Sequence, residues 1–490
     1  MSIARNELGR RLVLVVVARA RGRRLRTVVA AACSTLLLIG CATPIFNLPG
    51  NVPITPATPP NMGWRPEITG EHVIALSFSG GGLRASAFSF GVLQALAALK
   101  VGDRDLLDDV SFISSVSGGS LTAAYFALFG RAGMGDFRDQ VLLHDYEASM
   151  RLSLTSPENL RRIVGGGLND RSNFAAVLDQ DVFHGARFSD LYRRRRPDVW
   201  INATDLFFRT SFAFIPPVFS ALCSDLSQYR IADAVAASMA VPLVFAPVVL
   251  QTYPEACNAP LGAWVSQMEV PEAPRFMQAV ANAVRAYRDP TRVRFVKLVD
   301  GGVTDNYGLS SVLISRAAAG TPESPLTARD AVTVRRMLYL IVDAGRGPSG
   351  DWALRDEGPS GVDAALSSAD AAIESASRLA ADSFVRSLKE WQDAVIDFRC
   401  RLSDDEVRKL RGSSEGWDCR DVKFDVDVVS IAEVDAQLRR QMKAIPTRLT
   451  LSADQIDSAV DAGRQATFAS QKLLTYQAER RASLAAPPLK

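Results

Sequence analysis

The chain has 490 residues, 48% of them hydrophobic and 22% charged, with a formal net charge of +3. Such proportions fit one large globular domain or two to three ordinary ones, and they exclude disorder over the whole length. Residues 1–40 hold eight arginines and one glutamate, hence +7, which leaves −4 for the remainder. A mildly acidic body lacks the clustered basic charge that nucleic acid demands, so no nucleic-acid partner is expected.

Arg19, Arg21, Arg23, Arg24 and Arg26 precede a 13-residue uncharged run, Thr27 to Ile39. A bilayer span takes about 20 apolar residues, so this run suits the h-region of a secretory signal. It closes on Leu38-Ile39-Gly40-Cys41-Ala42. That ending resembles the bacterial lipobox, which implies cleavage before Cys41 and a lipid on its thiol. Ala42 after the cysteine resembles lipoproteins sorted to an outer membrane. Residues 1–40 are therefore expected to be a lipoprotein signal peptide. Residues 41–70 carry five prolines between Pro53 and Pro66 and are expected to tether the body to the membrane. The expected location is the bacterial cell envelope, with the body in the periplasm or at the surface.

After Cys41, four cysteines remain: Cys223, Cys257, Cys400 and Cys419. In an oxidising compartment the local pairs Cys223–Cys257 and Cys400–Cys419 are expected, with the two other pairings left open. No Cys-x-x-Cys occurs and the chain has three histidines, so neither a structural zinc site nor any other cofactor is expected.

The body opens on a strand, His72 to Phe78, that runs into Ser79-Gly80-Gly81-Gly82-Leu83-Arg84-Ala85. Ser86 to Leu99 follows with helical spacing of Phe88, Val92, Leu93, Leu96 and Leu99. This glycine loop lacks the third glycine of a dinucleotide site, the aspartates some 20 positions on (Asp103, Asp105, Asp108 and Asp109) fall before a strand rather than after one, and the loop lacks Gly-Lys-Ser/Thr. The remaining roles are a close-packed turn or a set of N–H donors for an oxyanion. Arg84 fits the latter, orienting the loop or an anionic substrate headgroup. Next, Val110 to Ile113 leads into Ser114-Ser115-Val116-Ser117-Gly118-Gly119-Ser120, and a helical run begins at Leu121. A serine at a strand-to-helix corner with glycines after it has the layout of a nucleophile elbow.

Residues 137–196 read as mainly helical, broken at Pro157 and at Gly165-Gly166-Gly167, and end in a basic run, Arg193 to Arg196, read as a solvated face. Strands are expected at Val199–Thr204, within Ser211–Val218, at Phe295–Val299 and at Met337–Val342. Helices are expected at Ile231–Met239 and Leu309–Ala318. This alternation implies an α/β domain with a largely parallel sheet. The tail reads as a long helix, Val362 to Phe398, a strand, Val422 to Ile431, and a mostly helical stretch, Leu451 to Leu484.

A serine nucleophile needs a base. The histidines are His72, His144 and His184, and none follows Asp300. That disfavours a Ser-His-Asp triad in the hydrolase order. Asp300 stands at a strand's end before Gly301-Gly302, where sites gather in parallel sheets, and a carboxylate in a partly dry site can serve as the base.

Ser79 to Arg84, Ser115 to Gly119 and Asp300-Gly301-Gly302 together resemble the glycine-rich, nucleophile and Asp-Gly-Gly/Ala motifs of the patatin-like phospholipase family. Ala236-Ala237-Ser238-Met239-Ala240-Val241-Pro242 resembles that family's Ala/Ser-rich segment. Ala85 and Ser115 depart from glycines of the strict patterns. The resemblance covers roughly residues 71–345. It implies a three-layer α/β/α fold with a mainly parallel central sheet. It also implies metal-free lipid acyl hydrolysis by a Ser117–Asp300 dyad. Gly80, Gly81, Gly82 and Gly118 are the expected oxyanion hole, Arg84 the expected substrate-orienting residue, and a membrane phospholipid or other acyl-ester lipid the expected substrate. Residues 71–345 are the expected catalytic domain, with 346–490 packed on it. An acyltransferase or small-ester esterase on the same dyad, and a non-catalytic envelope lipoprotein that binds lipid or a partner, are the alternatives.

Overall fold

The computed structural model describes residues 47–58, 68, 70–150, 174–194, 197–242, 244–258, 260–348 and 352–485. The signal peptide, Cys41, much of the tether, Pro157, the triple glycine and Arg195–Arg196 lie outside the described residues.

The central sheet is built from β1 (His72–Phe78), β2 (Val110–Val116), β3 (Asp198–Asp205) and β4 (Thr210–Ala213). It continues with β5 (Val248–Gln251), β6 (Phe295–Asp300), β7 (Arg336–Asp343) and β8 (Lys423–Ser430). Its order is β8-β7-β1-β2-β3-β6-β5, with β4 on β3. Neighbours from β8 to β3 run parallel, whereas β6 and β4 pair antiparallel with β3, and β5 antiparallel with β6. β1 and β2 are buried at every residue, which explains their continuous apolar character: helices cover both faces.

One face carries α1 (Gly82–Ala98), α2 (Gly118–Phe137) and α6 (Ala453–Ala469). α1 and α6 cross at glycines. A Cβ on Gly91 would lie 2.0 Å from the Val460 carbonyl oxygen, and one on Gly463 would lie 2.0 Å from that of Phe88. The other face carries α4 (Ser310–Ala319) and the 40-residue α5 (Gly361–Cys400). Phe112 of β2 and Tyr339 of β7 stack toward Phe384 of α5, and Ser114 of β2 bonds Ser311 of α4. The result is a three-layer α/β/α fold with a mostly parallel sheet, as the resemblance implied. Among the described residues no helix is long and apolar enough to cross a membrane.

Several expectations need correcting. The stretch from Ser211 to Val218 is a short strand, β4, followed by a helix that Pro216 opens, because proline's fixed φ suits a first helical turn. β5 had no expected counterpart. The tail does more than pack on the domain: β8 extends the same sheet in register with β7. The two expected disulfides are present, with Cα atoms 5.5 Å apart in Cys223–Cys257 and 4.9 Å apart in Cys400–Cys419. Both sheet edges are covered. Residues 47–54 lie along β5, where Asn51 bonds the backbone of Gln251 in both directions, and α7 (Gln471–Ala485) crosses β8.

Candidate active site

β2 ends at Val116, and the next residue, Ser117, takes φ 51° and ψ −126° before α2 begins at Gly118. A non-glycine residue in such a well costs about 1–3 kcal/mol, and that corner lifts the hydroxyl off the sheet. The turn closes because the next two side chains are hydrogen. A Cβ on Gly118 would lie 1.9 Å from the Gly82 carbonyl oxygen, and one on Gly119 would lie 2.6 Å from Phe78 Cβ.

Ser117 Oγ donates to Asp300 Oδ2 at 2.8 Å. Asp300 ends β6, beside Ala203 of β3, and its Oδ1 accepts the Gly302 N–H at 2.8 Å. Both side chains are nearly closed to water, at 5% and 8% exposure. Burial raises the Asp300 carboxyl to about 6, against the pull of the Gly302 and Ser117 hydrogen bonds, which stabilise its charged form. The carboxylate is therefore ionised at neutral pH yet far more basic than an exposed aspartate.

The end of α3 (Ile231–Ser238) holds both residues in place. Ser238 Oγ accepts the Ser117 N–H at 2.8 Å and donates to the Asn202 carbonyl at 2.6 Å. The Ser238 carbonyl accepts the Gly301 N–H at 3.2 Å, and that of Ala240 accepts the Asp300 N–H at 2.8 Å. One short segment thus fixes the serine corner and the aspartate loop together.

The glycine loop after β1 faces this pair. Ser79 is pinned to β7 on both sides: its N–H donates to the Val342 carbonyl at 3.1 Å, and its Oγ accepts the Ala344 N–H at 2.9 Å. Gly81 and Gly82 have φ of 142° and 60°. The N–H groups of Gly81, Gly82 and Gly118 meet no acceptor among the described residues. They stand at the N-termini of α1 and α2, where two helix dipoles present their positive ends.

Two sequence expectations change here. Gly80 donates its N–H to the Asn306 carbonyl at 3.1 Å, so it is not an available oxyanion donor. Its need for glycine is one of space, since a Cβ there would lie 2.5 Å from Asn306 Oδ1. Arg84 is 3% exposed. Its Nε donates to the Ala344 carbonyl at 3.0 Å, and its Nη1 to the Ile445 carbonyl at 2.9 Å and Thr447 Oγ1 at 3.2 Å. Burial lowers its pKa to about 10, helped by Arg346. This guanidinium orients its own loop and ties it to the C-terminal segment, and it is not placed to meet a substrate headgroup. The Leu83 N–H, donating to Arg448 O at 3.0 Å, adds a second tie.

No histidine is bonded to the pair. His72 begins β1 at its far end, and His144 and His184 bond Ser149 Oγ and the Gln180 carbonyl. Cavities of about 240 and 210 Å³ also lie away from the pair, beside His72 and Arg480 and beside Lys423 and Tyr476. Ser238, Asn202 and Asn306 are the site residues that motif reading gave no role. A buried serine in an Ala-rich helix end was a usable sign for Ser238, whereas Asn202 and Asn306 carry no local one.

The family model for patatin-like phospholipases matches residues 76–313. The chain carries a patatin-like phospholipase domain. All four glycine, serine, aspartate and Ala/Ser-rich stretches of the site fall in or at the edge of that patatin-like domain. Among solved structures, human GIVD cytosolic phospholipase A2 is similar at 12% identity, with 86% of this chain and 63% of that one covered and a TM-score of 0.39. VipD from Legionella pneumophila is similar at 12% identity, covering 87% and 72%, with a TM-score of 0.30. The ExoU-SpcU complex of the Pseudomonas aeruginosa type III secretion system follows at 16% identity, 77% and 80% coverage and a TM-score of 0.21. The chain thus spans less than two thirds of the human enzyme's length. No curated protein matches the chain.

Proposed function

We propose that the patatin-like domain is a lipid acyl hydrolase with Ser117 as nucleophile and Asp300 as base. The observation that carries this is the 2.8 Å hydrogen bond from Ser117 Oγ to a buried carboxylate whose pKa burial raises to about 6. Ser117 Oγ attacks the ester carbonyl carbon while its proton passes to Asp300 Oδ2. The oxyanion that forms faces the free N–H groups of Gly81, Gly82 and Gly118, which need no reorganisation to receive it. Collapse expels the alcohol, which takes the proton from Asp300. Asp300 then draws a proton from water as that water attacks the acyl-enzyme, and it returns the proton to Ser117 Oγ as the second intermediate collapses and the fatty acid leaves.

The same proposal includes export and attachment through a lipid on Cys41, with an outer membrane as the destination. Two disulfides in a chain with this N-terminal pattern support an oxidising compartment. The test is to incubate the protein, Ser117→Ala and Asp300→Asn with phospholipid vesicles and read fatty acid and lysolipid by mass spectrometry. Release by the unsubstituted protein alone supports the dyad. Equal release by all three, or by none while all are folded, contradicts it. Attachment fails if Cys41→Ser leaves processing and membrane association unchanged.

A further inference from the structure

Among the exposed apolar side chains of the described residues, Leu206, Phe207 and Phe295 share one corner of the sheet. β3 passes the dyad, since Val116 pairs with Asn202 and Asp300 with Ala203, and it ends two residues further on at Asp205. The turn to β4 then exposes Leu206 at 47% and Phe207 at 69%, and the start of antiparallel β6 exposes Phe295 at 46%. The Leu206 N–H donates to the Lys297 carbonyl at 2.9 Å, so turn and strand adjoin. Phe207 stacks edge-on against Phe208 at 4.9 Å, and Phe208 packs on buried Tyr287 at 6.2 Å. The corner is therefore a supported tip. Residues 47–54 add to it along the same edge, with Leu48 67% and Val52 45% exposed. Isolated exposed apolar residues are ordinary, but a cluster of this kind marks a contact surface.

Its charge points to the partner. Arg209, Arg294 and Lys297 are exposed beside these side chains, and none is ion-paired with a carboxylate among the described residues. Lys297 Nζ lies 5.0 Å over the Phe295 ring. The adjoining carboxylate, Asp205, is turned inward to the Tyr287 hydroxyl at 2.7 Å and the Phe207 and Phe208 N–H groups. Aromatic side chains flanked by unpaired cations suit the boundary of an anionic bilayer, with rings among the acyl chains and cations at the phosphates.

We propose that this tip, Leu206, Phe207 and Phe295 with Arg209, Arg294 and Lys297, docks the protein on an anionic phospholipid surface. It lies at the dyad's end of the sheet, where at the rise of a strand Leu206 stands about 10 Å and Phe295 about 17 Å beyond Asp300. The N-terminal segment leads to the same edge, where Asn47 Nδ2 donates to the Ala246 and Pro247 carbonyls at 3.1 and 2.9 Å. Six residues reach about 20 Å, so an anchor on Cys41 would emerge within that distance of this edge. As a way of presenting bilayer lipid to Ser117, the docking rests on the proposed hydrolase, but binding itself does not.

The experiment uses the full chain carrying Cys41→Ser and Ser117→Ala, which removes lipid attachment and turnover. Flotation with phosphatidylglycerol/phosphatidylethanolamine vesicles is compared with flotation on phosphatidylcholine alone. Phe207→Ser with Phe295→Ser, and Arg209→Glu with Lys297→Glu, are expected to weaken binding to the anionic vesicles at least tenfold with unchanged melting. A Phe207→Trp variant reads the contact locally, since brominated acyl chains should quench the added emission. Variants that bind like their parent, with no quenching at the tip, overturn the proposal, as does equal affinity of the parent for both vesicles. A tip variant that instead dissolves a dimer in sedimentation, at unchanged vesicle affinity, overturns it in favour of a second copy. Docking without hydrolysis by the Ser117 protein leaves the tip standing and removes the proposed activity, so the two failures read differently.

Discussion

Asp300→Asn is expected to make the protein more stable while it abolishes activity. Burial raises the Asp300 carboxyl from an ordinary 3.8 to about 6. A carboxyl with a raised folded-state pKa folds best when protonated. Its contribution is therefore fully present below pH 4 and is lost as pH rises through 6. At 1.36 kcal/mol per pKa unit, the buried charge costs about 3 kcal/mol at pH 8. An asparagine has nearly the same shape, keeps an oxygen for the Gly302 N–H and offers its NH₂ to Ser117 Oγ. Those bonds change by about 1 kcal/mol at most, so a net gain of about 2–3 kcal/mol remains. The assay is urea unfolding of parent and variant at pH 4, 5, 6, 7 and 8, read as the difference between them. Other titrating groups, such as His72, which burial lowers to about 4, cancel in that difference. The expected curve is near zero at pH 4 and rises to its plateau above pH 6. A difference that stays flat with pH, or a variant less stable at pH 8, refutes the reasoning.

With Asp300 as base, kcat/KM should climb with pH to a plateau, with a midpoint near the Asp300 pKa of about 6, and pH–rate profiles on a soluble ester will read it. Ser238→Ala removes the acceptor of the Ser117 N–H and should cost about 1–3 kcal/mol of stability. It should also lower kcat more than KM, with partial rescue in Ser238→Thr. Gly82→Ala places a Cβ 2.5 Å from the Arg448 carbonyl at φ 60°, and should abolish activity in steady-state assays even where circular dichroism shows a folded protein. Arg84→Lys leaves at least one of three acceptors unmet and should destabilise by about 2–4 kcal/mol in thermal unfolding, since the compact ammonium cannot span the Ala344 and Ile445 carbonyls together.

What was legible in the sequence was local. The strand–glycine–helix units at Ser79–Arg84 and Val116–Gly119 are contiguous, so their turns show in composition. The disulfides join cysteines 34 and 19 residues apart, short enough for proximity to suggest the pairs. β8 was recognisable from its alternating Val, Phe and Asp, but not its place, because its parallel partner β7 lies some 80 residues earlier and no turn links them. β5 is four residues long and pairs antiparallel with β6, a weak pattern beside the parallel core. The roles of Gly80 and Arg84 were hidden for the same reason. Asn306, Ala344 and Ile445, which take their hydrogen bonds, are more than 200 residues away along the chain.

The most direct test of the central claim is covalent. The protein is treated with a fluorophosphonate at pH 8, digested, and the adduct is located by mass spectrometry, with Asp300→Asn in parallel. An adduct on Ser117, with labelling at least a hundredfold slower in the variant, is the expected result. A folded protein that takes no label, or labels elsewhere, contradicts a Ser117–Asp300 hydrolase.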